Sequence, residues 1–416
     1  MTRHFLVLIH RWVGLATAGF LIIVGLTGSL LTFLPEINHA LTPHLFPANQ
    51  STPLKPGELA LAAQDLLPQT SIVTVFINSS GSALVGFIPK TDPATGKPYQ
   101  LGFNQFIIDA ATGRELGRRT VGVLPTGIDN LMPFVYWLHM NLLLGPTGNV
   151  ALGIVALLWT LDCFVAFYLT FPIRRKKTGS AESGNPPRMG DGTTQKQRNF
   201  WQRWKPALQV KWRASIYRVN FDLHRAGGLW LWLMLLIFAW SSVGFNLHDP
   251  VYQPVMRMLF DLPPADAQIN STQQPHTAPM GWREAQTTAE RLMQEQAQTY
   301  GFAVDTAVAL YRQEALGRYY YRVKSSLDIR DKSGDTELNF DMYSGQLLSL
   351  KLPTTQYSGY TAGAWLKALH VADVFGMSYR VLVSVLGLVI VMLSVTGAII
   401  WLRKRRARIF HSRISS

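Results

Sequence analysis

Residues 5–34 read FLVLIHRWVGLATAGFLIIVGLTGSLLTFL. Apart from His10 and Arg11 the run is uncharged, and it exceeds the roughly 20 helical residues that cross a bilayer core of ~30 Å. Its apolar part is too long for a signal-peptide core and has no small-residue cleavage site before Pro35, so a retained membrane helix is expected. Three more such stretches follow, at about 149–171, 227–247 and 381–402. The 416 residues are 48% hydrophobic and only 15% charged. With the apolar residues gathered into four runs, that composition excludes a soluble enzyme, a disordered chain and a disulfide-rich scaffold. Cys163 is the single cysteine, which removes intrachain disulfides, thiolate zinc sites and iron–sulfur clusters.

The net charge of +14 is placed where topology wants it. Just over half of the 39 basic residues lie before the first span, between spans two and three, and after the fourth from Arg403. Such runs are retained in the cytoplasm, so both termini are expected inside. Because they flank spans, they read as topology signals and not as a nucleic-acid patch. The expected fold is an α-helical integral membrane protein with four transmembrane helices and an internal duplication. Spans are assigned to residues 1–34, 131–173 (with a His-bearing entry helix), 226–248 and 361–402 (likewise). External domains are assigned to 35–130 and 249–360, cytoplasmic segments to 174–225 and 403–416. Within the former, Gly179 to Asn199 reads as a linker and 201–218 as a basic, Trp-rich interfacial helix.

The duplication is visible in three ordered landmarks. An offset of 214 lays His10-Arg11 on His224-Arg225 and Gly14 on Gly228. An offset of 231 lays Leu138-His139 on Leu369-His370 and Gly145 on Gly376. In the external segments, Asp109-Ala-Ala-Thr-Gly113 matches Asp341-Met-Tyr-Ser-Gly345. That pattern needs Asp to bond the turn backbone and Gly for positive φ. Each external segment also reads as a helix (57–67 and 282–300) followed by alternating strands such as 71–78 and 319–324.

Of ten histidines, His10, His139, His224 and His370 have counterparts in the other half. Topology puts His10 and His224 at the cytoplasmic face, His139 and His370 at the external one. A lone interfacial imidazole commonly bonds a headgroup or a neighbouring helix. Matched pairs at each face suggest axial ligation of b-type haem instead, where two imidazoles close the iron to oxygen and suit electron transfer. Zinc or copper is a poorer match to histidine pairs without carboxylate or thiolate ligands. Gly14, Gly19, Gly25, Gly28, Gly227, Gly228 and Gly244 admit a planar macrocycle or simply close helix packing. Arg11 and Arg225 suit haem propionates or the positive-inside signal equally. Asp162, inside the second span, suggests a polar contact near the inner haem, a proton relay or a helix–helix bond. Trp137, Trp230, Trp232, Trp240 and Trp401 read as interface anchors.

His10-Arg-Trp-Val-Gly-Leu15 with Leu26-Thr27-Gly28, the Asp-Ala-x-Thr-Gly turn, Leu138-His139, and Leu223-His-Arg-x-x-Gly-Leu229 together resemble the PepSY-associated transmembrane proteins over nearly the whole chain. The resemblance implies four transmembrane helices and two periplasmic PepSY-like domains in the bacterial inner membrane. The family is iron-regulated in many members and includes di-haem ferric-siderophore reductases such as ferrioxamine B reductase. The family's histidines fall on His10, His139, His224 and His370, implying two bis-histidine b haems, one near each membrane face. Two departures stand out: Ser241-Ser-Val-Gly244 replaces the Thr-Gly motif kept at Thr396-Gly397, and no basic residue follows His370 directly.

The function this implies is electron transfer from an unidentified cytoplasmic or quinol donor to a periplasmic ferric-siderophore, releasing Fe(II). No dinucleotide fingerprint, Ser/His/Asp set or paired carboxylates stand out. The alternatives are a membrane-anchored scaffold for a periplasmic protease or assembly partner, and a transporter.

Overall fold

The computed structural model describes residues 3–47, 51–173, 199–264 and 278–414. The linker assigned to Gly179–Asn199 lies outside them except for its last residue. Helix α1 (Arg3–Leu31) runs unbroken through the quoted stretch. It is followed by α2 (Leu34–Leu41), α3 (Pro56–Leu66), α4 (Leu131–Asn141) and α5 (Gly145–Leu169). Next come α6 (Phe200–Trp204), α7 (Ile216–Trp230), α8 (Trp232–Asn246) and α9 (Gln253–Leu259). Last are α10 (Trp282–Tyr300), α11 (Ser358–His370) and α12 (Gly376–Ile414).

Among the described residues α1, α5 and most of α12 are long and apolar enough to cross a membrane. The stretch expected as the third span is instead two helices, α7 and α8, bent by 69°; they make a fourth span only if taken together. The break at Leu231 follows the pair Gly227-Gly228, a sequence where helices kink readily. Indoles tie down both sides of it. Trp230 Nε1 donates to the Leu208 carbonyl at 3.1 Å and Trp232 Nε1 to that of Cys163 at 2.8 Å. The interfacial helix expected over 201–218 is also broken. It consists of α6, a 3-10 turn at Lys205–Leu208 and a loop, and Ser215 then caps α7. Pro206 ends α6 because it has no N–H to continue the ladder.

The segments expected to be external supply strands β1 (Thr70–Ile77), β2 (Ser82–Pro89), β3 (Gln105–Asp109), β4 (Glu115–Arg119), β5 (Val304–Gln313), β6 (Arg318–Ser325), β7 (Thr336–Asp341) and β8 (Leu347–Lys351). All eight form one antiparallel sheet in the order β4-β3-β2-β1-β5-β6-β7-β8. The segments assigned from the sequence to two domains are therefore joined, through Thr74↔Tyr311, Val75↔Leu310 and Phe76↔Ala309. Helices α3 and α10 cover this sheet. Leu59, Ala63, Ala289 and Met293 pack on Val75, Phe106, Leu310 and Phe340 in one buried cluster. Each half ends in its Asp turn. Asp109 Oδ1 accepts from the backbone of Ala111 and Thr112, and Asp341 Oδ1 from that of Tyr343 and Ser344. Gly113 and Gly345 follow at φ +71° and +70°.

By contacts the chain divides into two compact units. One comprises Met1–Ile22, Val155–Trp240 and Val389–Ser416, the other Ile23–Ile154 and Ser241–Leu388. The sheet lies in the second.

Candidate functional site

In the first unit, α1 presents His10 and α7 presents His224, with ring centroids 6.0 Å apart and planes inclined by 54°. Nδ1 of His10 lies between the Asp162 oxygens, 3.0 and 2.9 Å from each, so it carries a proton and donates it. His224 Nδ1 is 3.0 Å from the Leu393 carbonyl and 3.1 Å from Thr396 Oγ1. The Thr396 hydroxyl gives its own proton to the Met392 carbonyl at 2.7 Å, so both groups facing His224 are acceptors. The ring rests on Gly397, where an added Cβ would stand 3.1 Å from its Cε1.

The second unit repeats this construction. His139 at the end of α4 and His370 at the end of α11 have centroids 6.4 Å apart, inclined by 64°. His139 Nδ1 is 3.0 Å from Thr27 Oγ1, and the Thr27 hydroxyl donates to the Ile23 carbonyl at 2.7 Å. The His139 ring rests on Gly28 as His224 rests on Gly397. His370 Nδ1 is 2.7 Å from Ser241 Oγ. Burial pushes the His139 imidazole down to about 4 and, with His139 as neighbour, that of His370 to about 3. Both rings are neutral near pH 7, the form that ligates metal.

Two imidazoles on one iron, each with a metal–nitrogen bond of about 2.0–2.1 Å and a ring centre ~1.1 Å further out, would have centroids ~6.3 Å apart. The two measured separations bracket that value. An edge-to-face ring pair spans the same distance, so distance alone does not distinguish them. The placement of protons is more telling. Nδ1 of His10, His139 and His224 is spent on an acceptor, leaving the lone pair on Nε2. The pairing partner of Nδ1 comes from another helix each time, the arrangement that orients a ligating histidine. The residues present thus fit an axially ligated porphyrin. Among the described residues no three His, Cys, Asp or Glu side chains gather into a metal site. Zinc or copper, which want three or four protein donors, are not served. A carboxylate does lie near His10, contrary to the sequence reading of bare histidine pairs, but it is engaged on Nδ1.

The other candidates divide. Arg225 Nη2 donates to Asp222 at 2.9 Å and to the Pro206 carbonyl at 2.6 Å. Asp222, fully buried between Arg218 and Arg225, was not singled out in the sequence. Arg11 lies 5.2 Å over the Trp12 ring, and its Nε is buried without a hydrogen-bond partner. Of the glycines, Gly28 seats a histidine, and Cβ positions at Gly14 and Gly19 meet nothing within 4 Å. Gly227 and Gly244 instead pack on Met392 and Tyr252. His39, His44 and His248 bond Phe46, Asp129 and Asp249 and take no part. Ser241 was noted only as a departure from the Thr-Gly motif. Yet it lies 214 positions after Thr27, the same offset as His10 and His224, and does the same work.

A family model described as the PepSY-associated TM region matches residues 7–404. No curated protein matches the chain.

Proposed function

This chain belongs to the PepSY-associated TM family, and on that premise we propose that it is a di-haem b oxidoreductase of the bacterial inner membrane. It reduces a periplasmic ferric-siderophore with electrons from a quinol or cytoplasmic donor. The observation that carries this reading is the pair of two-histidine sites with Nδ1 engaged by a neighbouring helix. Haem bound there would supply a one-electron iron couple. His10 with His224, and His139 with His370, would hold the iron. Asp162, Leu393, Thr396, Thr27 and Ser241 fix the rings, and Gly28 and Gly397 let two of them lie flush on the spans.

In this reading α7 and α8 together make the third of four spans, and both termini are cytoplasmic, as the basic segments require. The sheet is then periplasmic. One electron per ferric ion weakens the hold of hard oxygen ligands on the metal, and Fe(II) leaves the siderophore.

The test is haem content and spectrum of purified single variants. His10→Ala and His224→Ala should lose the same one of two haems, and His139→Ala and His370→Ala the other. Wild-type protein that stays colourless when expressed with ample haem would overturn the proposal in favour of a scaffold.

A further inference from the structure

The two histidine pairs are alike in geometry and unlike in charge. Five groups face the four Nδ1 atoms, and three of the four histidines meet only neutral oxygens there. His139 has the Thr27 hydroxyl, His370 the Ser241 hydroxyl, and His224 the Leu393 carbonyl with the Thr396 hydroxyl. His10 alone of the four faces a carboxylate, held by both oxygens of Asp162 at 3.0 and 2.9 Å. Asp162 is 9% exposed. Among the described residues no lysine or arginine pairs with it, and its ion-pair partner is His10.

We infer that Asp162 is a positioning and tuning residue that makes the His10–His224 site the lower-potential of the two. This rests on the di-haem reading above. A carboxylate accepting the Nδ1 proton raises the basicity of the imidazole, giving it part of the character of an imidazolate. A more basic axial ligand stabilises the ferric over the ferrous state, and second-shell hydrogen bonding is one of the levers that set such potentials. The negative charge of Asp162 beside the ring acts in the same direction, and in low-dielectric surroundings it is felt strongly. The Thr27 and Ser241 hydroxyls at the other site do neither to the same degree.

The duplication makes the point sharper. Position 162 shifted by 231 falls on Leu393, whose carbonyl serves His224. The first half therefore carries an ionisable side chain where the second uses backbone. The charge is costly inside a span, and helix packing would be served as well by a neutral residue. The consequence is an ordering. Electrons delivered at the His10–His224 site run downhill to the His139–His370 site, so direction is set by one carboxylate and not by the acceptor alone.

The experiment is spectropotentiometric titration of the purified full-length holoprotein. Wild type should give two one-electron components. In Asp162→Asn the lower one should move positive by at least a tenfold change in equilibrium, 59 mV for one electron, while the upper one stays; Asp162→Glu should restore it. Independently, His139→Ala should retain the lower component and His10→Ala the upper, which tests the order even if Asp162→Asn fails to accumulate or drops its haem. Two haems present with neither potential moved by Asp162→Asn, or the higher component remaining in His139→Ala, would overturn the inference and leave the di-haem reading intact. Protein without haem would overturn that reading first.

Discussion

Gly28 of α1 and His139 of α4 touch: a Cβ added to the glycine would stand 3.0 Å from Cε1 of the imidazole. Gly397 of α12 stands in the same relation to His224, at 3.1 Å. Contacts this short force the ring to shift by a few tenths of an ångström, and ligation tolerates little misplacement. In the di-haem reading proposed above, Gly28→Ala should therefore weaken or abolish haem binding by His139 and His370 and leave the other site filled. Gly397→Ala should do the reverse. Haem-to-protein ratios and reduced spectra of the two variants check this; full occupancy in both would count against ring seating by glycine.

The sheet predicts cooperative unfolding. Leu310 is fully buried and pairs with Val75 at the junction of the two four-stranded halves. Leu310→Ala should cost about 2–5 kcal/mol, and both halves should melt together, because neither has its own closed core. Limited proteolysis during a thermal ramp, followed by mass spectrometry of fragments from each half, reads this directly. One half surviving well above the other would contradict it.

Arg380 reaches from α12 to α2 and the end of α1, donating to Glu36 and to the Thr32 carbonyl. The bond from Arg380 holds the Glu36 carboxyl below its ordinary value of 4.5. A carboxylate with a depressed folded-state pKa contributes stability that is present above its unfolded value and is lost as pH falls through the folded one. Thermal stability should thus drop as pH falls below about 4.5, and Glu36→Gln should flatten that part of the profile. An unchanged pH dependence in the variant would rule out Glu36 as a contributor.

The two Asp turns are equivalent in bonding and unequal in burial. Asp341 is 2% exposed, while Asp109 is half-buried. Removing either acceptor leaves turn N–H groups unpaired, at about 1–3 kcal/mol. Asp341→Ala should fall at the high end and Asp109→Ala at the low end, since water can replace the lost acceptor more readily at the exposed turn. Equal losses in melting temperature would show that burial does not matter there.

Much of this protein is written in local sequence. Apolar runs long enough for a bilayer set α1, α5 and α12, because length and hydropathy are properties of a contiguous stretch. The Asp-x-x-x-Gly turns and helix α10 were legible for the same reason, since their bonds lie within a few residues. Repeat offsets singled out His10, His139, His224 and His370. Tertiary structure decided the rest. The kink at Leu231 depends on indoles reaching Leu208 and Cys163, and the joining of the two strand-bearing segments depends on a three-residue ladder between β1 and β5. Most of all, the partners of the four Nδ1 atoms arrive from residues up to 172 positions away. Which histidine receives a carboxylate and which a hydroxyl is fixed only when the helices pack, because a hydrogen bond requires proximity that no linear spacing encodes.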